Sequence, residues 1–368
     1  MKTSYCWFLL LGLSATVLWH SCSKETRDPN IPISDWTQLG TPFDNQIYNV
    51  VSDKEGKIYV SGGDLQQIAV WDGLAWGRLG NFNSSPFTGG LYWPITVDMN
   101  DNVYAAAFIK VPAANSEYHV AQWHKDSKTW INLTASGPLF DNGIFSMVTD
   151  LSGNLYVAGN VLYLTESGNY IYKWNGSVWN RLGPRLPAFG QIFLHIDKSG
   201  KLYACIGLND NFSPYVALWN GASWEELGGT NNSHFGTGAI QCIHTDAQGN
   251  VYAGGYFTDG NKAYNLYKWT KASNSWSAKN TPGSSSDVYS IAVRESDTLF
   301  LAGNFVNESG EHYVAKFHQE VGLWSDYGRL RANQAIRSIC FDPSGYLYAG
   351  GEFTNADGKY YVGRYKVK

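Results

Sequence analysis

Short apolar stretches, each closed by a Gly-containing turn or by an aromatic residue, run through the chain from residue 36 to the end. They come in groups of four, represented by Ile47 to Ser52, Ile58 to Gly63, Ile171 to Trp174 and Trp179 to Leu182. Because residues three apart in a strand point to opposite sides, Trp179 and Leu182 lie on different faces of their sheet. Both faces of each four-stranded sheet are therefore apolar and must be covered.

A Trp begins the fourth strand of the group seven times along the chain. These residues are Trp36, Trp76, Trp130, Trp179, Trp224, Trp276 and Trp324. A hairpin turn between the first and second strands recurs with the same period, and its first residues are numbers 53, 98, 150, 197, 246, 294 and 342. The intervals between these turns are 45, 52, 47, 49, 48 and 48 residues. A four-stranded unit with this period predicts an all-β fold, a seven-bladed β-propeller of antiparallel blades.

Five of these turns read Asp-x-x-Gly, as in Asp150-Leu-Ser-Gly153, and the other two begin at Asp98 and Arg294 and end at Asp. An Asp that caps its own turn, followed by a Gly free to adopt positive φ, is typical of a type I turn with a bulge. We therefore interpret these aspartates as turn residues in preference to metal ligands. Asn-Gly and Asp-Gly pairs predict equally tight hairpins between the third and fourth strands.

The two ends of the repeat region complement one another. The last unit ends in its third strand, at Tyr365 to Lys368, whereas Trp36-Thr-Gln-Leu-Gly40 is a fourth strand with no unit before it. We expect the N-terminal strand to complete the last blade, which closes the ring and leaves few exposed sheet edges. Wedge-shaped blades fit such a ring, because the outer strand holds Trp while the inner strand holds small residues such as Ser146 and Ser338.

Composition narrows the classes of function. Charged residues make up 16% and aromatic residues 15% of the 368 residues, and the net charge is -4. A charged share below the roughly 25% of ordinary proteins indicates stability from aromatic and aliphatic packing. The net negative charge and the lack of basic clusters argue against a nucleic-acid partner. No redox motif and no set of metal ligands is recognisable, so we predict neither cofactor nor metal.

The N-terminus predicts export. Met1-Lys2 and the apolar run from Cys6 to Trp19 have the layout of a secretory signal peptide, which we assign to residues 1–21. The apolar run is shorter than the roughly 20 residues that a membrane-spanning helix takes. The repeat region, residues 36–368, is then expected to be an exported propeller domain.

A lipid anchor is predicted directly behind the signal peptide. Ser21-Cys22-Ser23-Lys24 resembles the lipobox of bacterial lipoproteins. The resemblance implies lipidation of Cys22 and a location in the cell envelope, on the periplasmic or surface face of the outer membrane. Residues 22–35 would follow as a polar, flexible tether. Trp19 occupies the position where the lipobox has Leu, and secretion without an anchor is the alternative.

Three further cysteines, Cys205, Cys242 and Cys340, lie inside predicted strands. An odd number in an exported protein does not indicate a disulfide framework. Cys205 and Cys242 fall in adjacent blades and could pair, but we favour buried free thiols.

Two kinds of propeller repeat resemble this one. The second strand ending in Gly-Gly and followed by Trp, seen at Ile58 to Gly63 with Trp71 and Trp76, resembles the kelch repeat. The segment Asp-x-x-Gly-Asn-x-Tyr, seen at Asp150 to Tyr156, resembles bacterial regulator-type and NHL propellers. The resemblance covers residues 36–368 and implies the fold. Such families include enzymes, sugar-binding proteins and scaffolds, so the resemblance implies no single function.

The candidate ligand face carries the loops from the fourth strand to the next first strand and from the second strand to the third. These loops vary most, and variable loops on a rigid scaffold commonly carry function. Each first strand starts at this variable-loop face, and its residue five positions before the turn contributes to a ring at the mouth of the axial channel. The ring consists of Tyr48, Trp93, Phe145, Ile192, Gln241, Tyr289 and Arg337. Its aromatic members, with Gln241 and Arg337, suit stacking on sugar rings or docking of a peptide.

Trp93 is the most informative member of this ring. The other twelve Trp residues after the signal peptide occupy recurrent positions of the blades. Trp93 is therefore a candidate for ligand contact. The alternative is that its position shares a face with the core residues Val50, Ile95 and Ile339 and packs between blades.

Catalytic candidates are few. His195 and His244 hold equivalent positions in adjacent blades, but no third metal ligand shares the spacing, and packing between blades is the favoured interpretation. Asp44 and Asp141 recur at the variable-loop face and could form a carboxylate pair for glycoside cleavage, although Asp-Asn in a loop more often stabilises a turn. We expect a lipid-anchored envelope protein that binds a glycan or a partner protein, with a carbohydrate-active hydrolase or lyase as the alternative.

Overall fold

The computed structural model describes residues 35–62, 68–80, 90–109, 117–138, 140–162, 167–186, 190–206, 214–229, 235–259, 262–279, 281–282, 287–294, 297–318 and 320–367. All regular secondary structure within these ranges is β-strand. They contain no helix that is long and apolar enough to cross a membrane.

The strands form seven four-stranded antiparallel blades in a propeller ring, as predicted. In chain order they are β1 (Thr37–Gln38); β2 (Ile47–Ser52), β3 (Ile58–Gly62), β4 (Ala69–Trp71) and β5 (Trp76–Arg78) in blade 1; β6 (Gly90–Val97), β7 (Val103–Ile109), β8 (Glu117–His124) and β9 (Thr129–Asn132) in blade 2; β10 (Phe140–Thr149), β11 (Leu155–Leu162), β12 (Ser167–Trp174) and β13 (Trp179–Arg181) in blade 3; β14 (Ile192–Ile196), β15 (Leu202–Ile206), β16 (Tyr215–Trp219) and β17 (Trp224–Glu226) in blade 4; β18 (Thr237–Thr245), β19 (Val251–Asp259), β20 (Lys262–Thr270) and β21 (Ser275–Lys279) in blade 5; β22 (Val288–Val293), β23 (Leu299–Gly303), β24 (Ala315–His318) and β25 (Leu323–Asp326) in blade 6; and β26 (Ile336–Phe341), β27 (Tyr346–Gly351) and β28 (Gly363–Lys366) in blade 7.

The N-terminal strand closes the ring, which confirms the sequence prediction. Strand β1 pairs with β28 as the fourth strand of blade 7, with Thr37 opposite Arg364 and Gln38 opposite Gly363. The indole of Trp36 donates to the carbonyl of Tyr327 in blade 6 at 2.9 Å. Blade 7 therefore consists of strands from both ends of the chain.

The core lies between the blades, where apolar faces of neighbouring sheets meet. Between described residues, the Trp at the start of the outer strand donates its indole N–H to a backbone carbonyl of the preceding blade in six cases, at 2.7–3.1 Å. The bond from Trp76 to Leu39 is one example. At Gly40, φ is 63°, and an added Cβ would clash with the ring of Trp71. The Gly of Trp-x-x-Leu-Gly is thus required both by its conformation and by the close approach of the next blade.

The inner strands are joined by side chains that bond to the backbone of the next blade. The hydroxyl of Ser146 accepts the N–H of Leu194 at 3.0 Å, and Ser338 accepts the N–H of Val50 at 3.0 Å. Neighbouring inner strands run side by side near the axis without a shared ladder, so their N–H groups need such acceptors. The small inner residues noted in the sequence therefore also hold the blades together.

The Asp that begins the first turn in six of the seven blades has two roles. Asp53 Oδ1 accepts the backbone N–H groups of Glu55 and Lys57 at 2.9 Å each, which confirms the turn interpretation. Its Oδ2 accepts the hydroxyl of Tyr59 at 2.9 Å. The same Asp–Tyr pair occurs in six blades: Asp53–Tyr59, Asp98–Tyr104, Asp150–Tyr156, Asp197–Tyr203, Asp246–Tyr252 and Asp342–Tyr348. Blade 6 has Arg294 and Phe300 at these two positions.

The turns that end in Asp instead of Gly also have a structural reason. Asp101 and Asp297 adopt positive φ, 58° and 56°, where Gly stands in the other blades. The carboxylate of Asp297 accepts the backbone N–H of Ala247, in the turn of blade 5, at 2.8 Å. Asp101 forms an ion pair of 3.6 Å with Lys54 in the turn of blade 1. These aspartates connect the turns of neighbouring blades, on the side of the ring that we call the turn face.

Candidate functional site

A cavity of about 710 Å³ lies on the propeller axis, where the inner strands of all seven blades converge. Five members of the predicted ring line it: Tyr48, Phe145, Gln241, Tyr289 and Arg337. All five side chains are partly buried. The structure thus brings together residues from blades 1, 3, 5, 6 and 7 that lie up to 289 positions apart, from Tyr48 to Arg337.

Each of these five side chains occupies a bulge in its strand pair. The ladder between β2 and β3 pairs Ile47 and then Asn49, and it leaves Tyr48 without a partner. The same interruption leaves out Phe145, Gln241, Tyr289 and Arg337 in their blades. A bulge changes the direction in which a side chain points, and bulges are common beside functional sites. Here it turns the fifth residue before the turn out of the interblade face and toward the axis.

Blade 4 differs, and the prediction for Ile192 was wrong. The ladder between β14 and β15 is continuous, with Ile192 opposite Ile206 and Phe193 opposite Cys205. Without the bulge, Ile192 keeps the buried position that Ile47 holds in blade 1, and both are 0% exposed. Gln191 and Phe193 line the cavity in its place. Counting back from the turn along the sequence does not reveal this offset of one residue.

Trp93 lies in β6, where the ladder is interrupted between Tyr92 and Ile95. The neighbouring Pro94 lines the cavity, and Pro is tolerated at bulges because it has no N–H to give to a ladder. The side chain of Trp93 is outside the part of the chain that the structure describes. Its role as a ligand residue stays a prediction.

The wall formed by blades 5 to 7 carries polar side chains that are held by hydrogen bonds to neighbouring side chains. The guanidinium of Arg337 donates two hydrogen bonds to the carboxylate of Glu352, one of them at 2.6 Å. The same guanidinium lies over the ring of Tyr289, 4.2 Å from its centroid. Next to them, the amide of Gln241 donates to Asp287 at 3.4 Å. Ion pairing and stacking fix the orientation of Arg337, so its remaining N–H groups are preorganised donors.

Burial raises the pKa of Tyr289 above its ordinary value of 10.0, and the charge of Asp287 adds to the effect while Arg337 opposes it. The phenol is therefore neutral at physiological pH and can donate a hydrogen bond. The opposite wall carries Tyr48, Phe145 and Phe193. One side of the cavity thus offers aromatic surface and the other offers fixed hydrogen-bonding groups.

Asp287 and Glu352 were missed by sequence reasoning. Asp287 directly precedes β22, and Glu352 directly follows the Gly350-Gly351 pair that ends β27. Most other blades have no acidic residue at either position. The repeat alone therefore could not indicate Asp287 and Glu352. The signal in the sequence is their place at the variable-loop face, where Asp287 precedes an inner strand and Glu352 follows a second strand.

The catalytic candidates do not assemble into a site among the described side chains. Asp44 is 81% exposed and pairs with Lys359 at 2.6 Å, away from the cavity lining. The side chain of Asp141 lies outside the described part of the chain. His195 and His244 pack against each other with ring centroids 4.7 Å apart and planes tilted by 41°, which confirms packing between blades 4 and 5.

Among the described residues, no group of three or more His, Cys, Asp or Glu side chains is arranged to hold a metal ion. Cys205, Cys242 and Cys340 form no disulfide, which agrees with the interpretation as free thiols. Burial raises the pKa of all three thiols, so they are protonated and poorly nucleophilic.

No family profile and no curated protein sequence matches this chain. Solved structures show the same fold. Virginiamycin B lyase from Staphylococcus aureus, in a catalytically inactive form with quinupristin, aligns with TM-score 0.64 and 14% identity over 90% of this chain and 99% of its own. YCF48 from Cyanidioschyzon merolae aligns with TM-score 0.60 and 11% identity, over 90% and 99%.

A third similar structure is the extracellular domain of a protein assigned as a one-component system in B. thetaiotaomicron. It aligns with TM-score 0.62 and 12% identity over 90% of this chain, and the chain spans only 40% of that domain. Identities this low show the propeller fold and nothing about function. They support neither the kelch nor the NHL resemblance specifically.

Proposed function

We propose that this protein is a non-catalytic binding propeller of the bacterial cell envelope that holds a glycan in its axial cavity. The observation that carries the proposal is the cavity wall, where ladder bulges direct Tyr48, Phe145 and Tyr289 into one space with Gln241 and Arg337. Sugar rings have apolar faces that stack on aromatic rings and hydroxyls that bond to amide and guanidinium groups. A volume of about 710 Å³ suits a small ligand, for which pockets of roughly 300–1,000 Å³ are usual.

The envelope location rests on the predicted signal peptide and on Cys22, which lies outside the described residues. The fold shared with the B. thetaiotaomicron extracellular domain is consistent with a place outside the cytoplasm. A lipid on Cys22 and the polar residues 23–35 would tether the propeller to a membrane. We therefore propose a lipoprotein that presents its variable-loop face to ligands in the envelope.

A hydrolase or lyase is the alternative function. A xyloglucanase from Xanthomonas campestris has a similar propeller, with TM-score 0.58 and 14% identity over 87% of this chain and 53% of its own. The predicted carboxylate pair receives no support from Asp44, whose carboxylate is bound to Lys359 in solvent. Binding without turnover is therefore the better-supported proposal.

A glycan array probed with the mature protein tests this proposal, with product release assayed on every glycan that binds. Phe145→Ala and Tyr289→Ala should each weaken binding on the order of tenfold, because an aromatic stacking contact is lost. Tyr256→Ala is the matched control, since Tyr256 is 39% exposed on β19 and does not line the cavity.

Three outcomes would contradict the proposal. Release of shortened sugars would favour the hydrolase or lyase. Binding to an envelope protein in place of any glycan would assign the cavity to a peptide. Equal loss of affinity in Tyr256→Ala would move the binding surface away from the axis.

A further inference from the structure

A second large cavity, of about 700 Å³, opens on the turn face between blades 4, 5 and 6. Its lining shares no residue with the axial cavity. Four basic side chains line it: Lys198 and Lys201 from blade 4, Lys271 from blade 5 and Arg294 from blade 6. Lys198 and Arg294 also line an adjoining cavity of about 240 Å³ beside the turn of blade 7. These two cations therefore lie between the two spaces.

The repeat provides an internal comparison for Arg294. The other six blades have Asp at this position, and each of these Asp residues accepts a Tyr hydroxyl. In blade 6 both members of the pair are replaced, by Arg294 and the fully buried Phe300. The turn itself still closes, with the N–H of Asp297 bonded to the carbonyl of Arg294 at 2.8 Å. The guanidinium is therefore not needed for the turn, and it adds positive charge beside the cavity.

The basic groups of this cavity have no ionic partner among the described residues. No carboxylate of that part of the chain lies within 4.0 Å of Lys198, Lys201, Lys271 or Arg294. Lys54, which holds the position of Lys198 in blade 1, behaves differently. It pairs with Asp101 at 3.6 Å and donates to the carbonyl of Met99 at 2.7 Å.

The three carboxylates that line the cavity already accept hydrogen bonds from other groups of the protein. Asp197 accepts the N–H groups of Ser199 and Lys201 at 2.8 and 2.9 Å, and the hydroxyl of Tyr203. The other two are satisfied in the same way, Asp246 by Asn250, Tyr252 and Lys268, and Asp297 by Ala247 and Gln248. These oxygens already accept hydrogen bonds or an ion pair, whereas the ammonium and guanidinium groups of the four cations form no hydrogen bond with another described residue.

The rings of His195 and His244, which pack against each other at a tilt, complete the wall of this cavity. Burial lowers the pKa of both imidazoles, so they are neutral at physiological pH and contribute polar surface without charge. Four cations then face three carboxylates in a concave site, on a protein whose net charge is -4.

We infer that this turn-face cavity binds an anionic small molecule that carries several phosphate or carboxylate groups, and that Arg294 and Lys198 are its main contacts. Guanidinium groups bind such oxygens in pairs, and ammonium groups add charge and rotatable donors. The inference concerns the face opposite the glycan site and does not depend on it.

Calorimetric titration of the mature protein with pyrophosphate and with citrate tests the inference and separates phosphate from carboxylate preference. One equivalent of at least one anion should bind. The double variant Arg294→Asp, Phe300→Tyr restores the pattern of the other blades and should weaken binding at least tenfold while the melting temperature stays unchanged or rises. Lys198→Gln, an exposed change that does not affect packing, should weaken binding severalfold.

Lys54→Gln is the matched control, because it removes the equivalent lysine at a position where it is already paired. It should leave anion affinity unchanged, and so should the axial variant Tyr289→Ala. Failure of both anions to bind the wild-type protein would overturn the inference. An equal loss of affinity in Lys54→Gln would also overturn it, because binding would then follow general surface charge.

Discussion

At the scale of single residues, the recurrent Asp is the main determinant of the local structure. One of its oxygens closes a turn and the other binds a Tyr of the adjacent strand, as for Asp53 with Glu55 and Tyr59. The turn role could be predicted from Asp-x-x-Gly, because the capping geometry is local. The Tyr contact was missed, although a Tyr follows every such Asp by six residues and both change together in blade 6.

The Asp–Tyr pairs predict a loss of stability at alkaline pH. Burial, with the charge of the bonded Asp adding to it, raises the pKa of Tyr59, Tyr104, Tyr156, Tyr203, Tyr252 and Tyr348 above the ordinary 10.0. The contribution of these groups is complete below pH 10.0 and is lost as the pH rises above it, because the unfolded chain then ionises while the folded chain does not.

Urea unfolding measured between about pH 8 and pH 11 checks this prediction, since one raised pKa unit corresponds to about 1.4 kcal/mol. The free energy of unfolding should be level at first and then fall. Tyr59→Phe should make the decline shallower, because one ionising group is removed. A free energy that stays constant to the highest pH would show that the tyrosines ionise equally in both states.

At the scale of strands, the bulges in the inner strands determine which residues reach the axis. The ring at the channel mouth could be predicted from the repeat for Tyr48, Phe145, Gln241, Tyr289 and Arg337. The same prediction was wrong for Ile192, because blade 4 has no bulge there. The expectation that this position shares a face with Val50 and Ile339 also assumed a regular strand. Spacing along the sequence does not show which strands are bulged, and a bulge adds one residue to its strand and changes the direction of the side chain there.

The closing strand gives a prediction at this scale. Deletion of residues 36–40 should lower the melting temperature of the whole propeller. The deletion removes the strand that pairs with β28, and it removes the contacts that Trp36 makes with Tyr327 and Tyr365. Trp36→Ala alone should cost about 3–5 kcal/mol of unfolding free energy, the usual range for a buried Trp. Thermal unfolding of both variants is the measurement, with Thr37→Ala at the exposed β1 position as control. An unchanged melting temperature after the deletion would contradict closure by β1.

At the scale of the whole molecule, the ring separates two kinds of surface. The variable-loop face leads to the aromatic axial cavity, and the turn face holds a repeated set of hairpins with one basic departure at Arg294. Blade number, strand order and closure could be predicted, because the repeat imposes the same packing at every blade interface. Asp287, Glu352 and the turn-face cavity could not, since they depend on side chains from several blades that only the folded ring brings together.

The predicted lipid anchor is also a property of the whole chain. Cys22→Ser expressed in a bacterial host should abolish incorporation of labelled fatty acid and move the protein from the membrane fraction to the soluble fraction. Cys6→Ser, inside the predicted signal peptide, is the control and should leave both unchanged. Loss of lipidation only in Cys6→Ser, or a protein that stays unlipidated in every form, would contradict the lipoprotein proposal.

The direction of the Trp hydrogen bonds matters for the order in which a ribosome makes this chain. At Trp76, Trp130, Trp179, Trp224 and Trp276, the accepting carbonyl belongs to an earlier residue, so each new blade emerges after the surface that receives it. Trp36 is the exception, because its acceptor, Tyr327, follows it by 291 residues. Blades can therefore dock one after another during synthesis, while β1 must wait, unpaired, until β28 of blade 7 has been made.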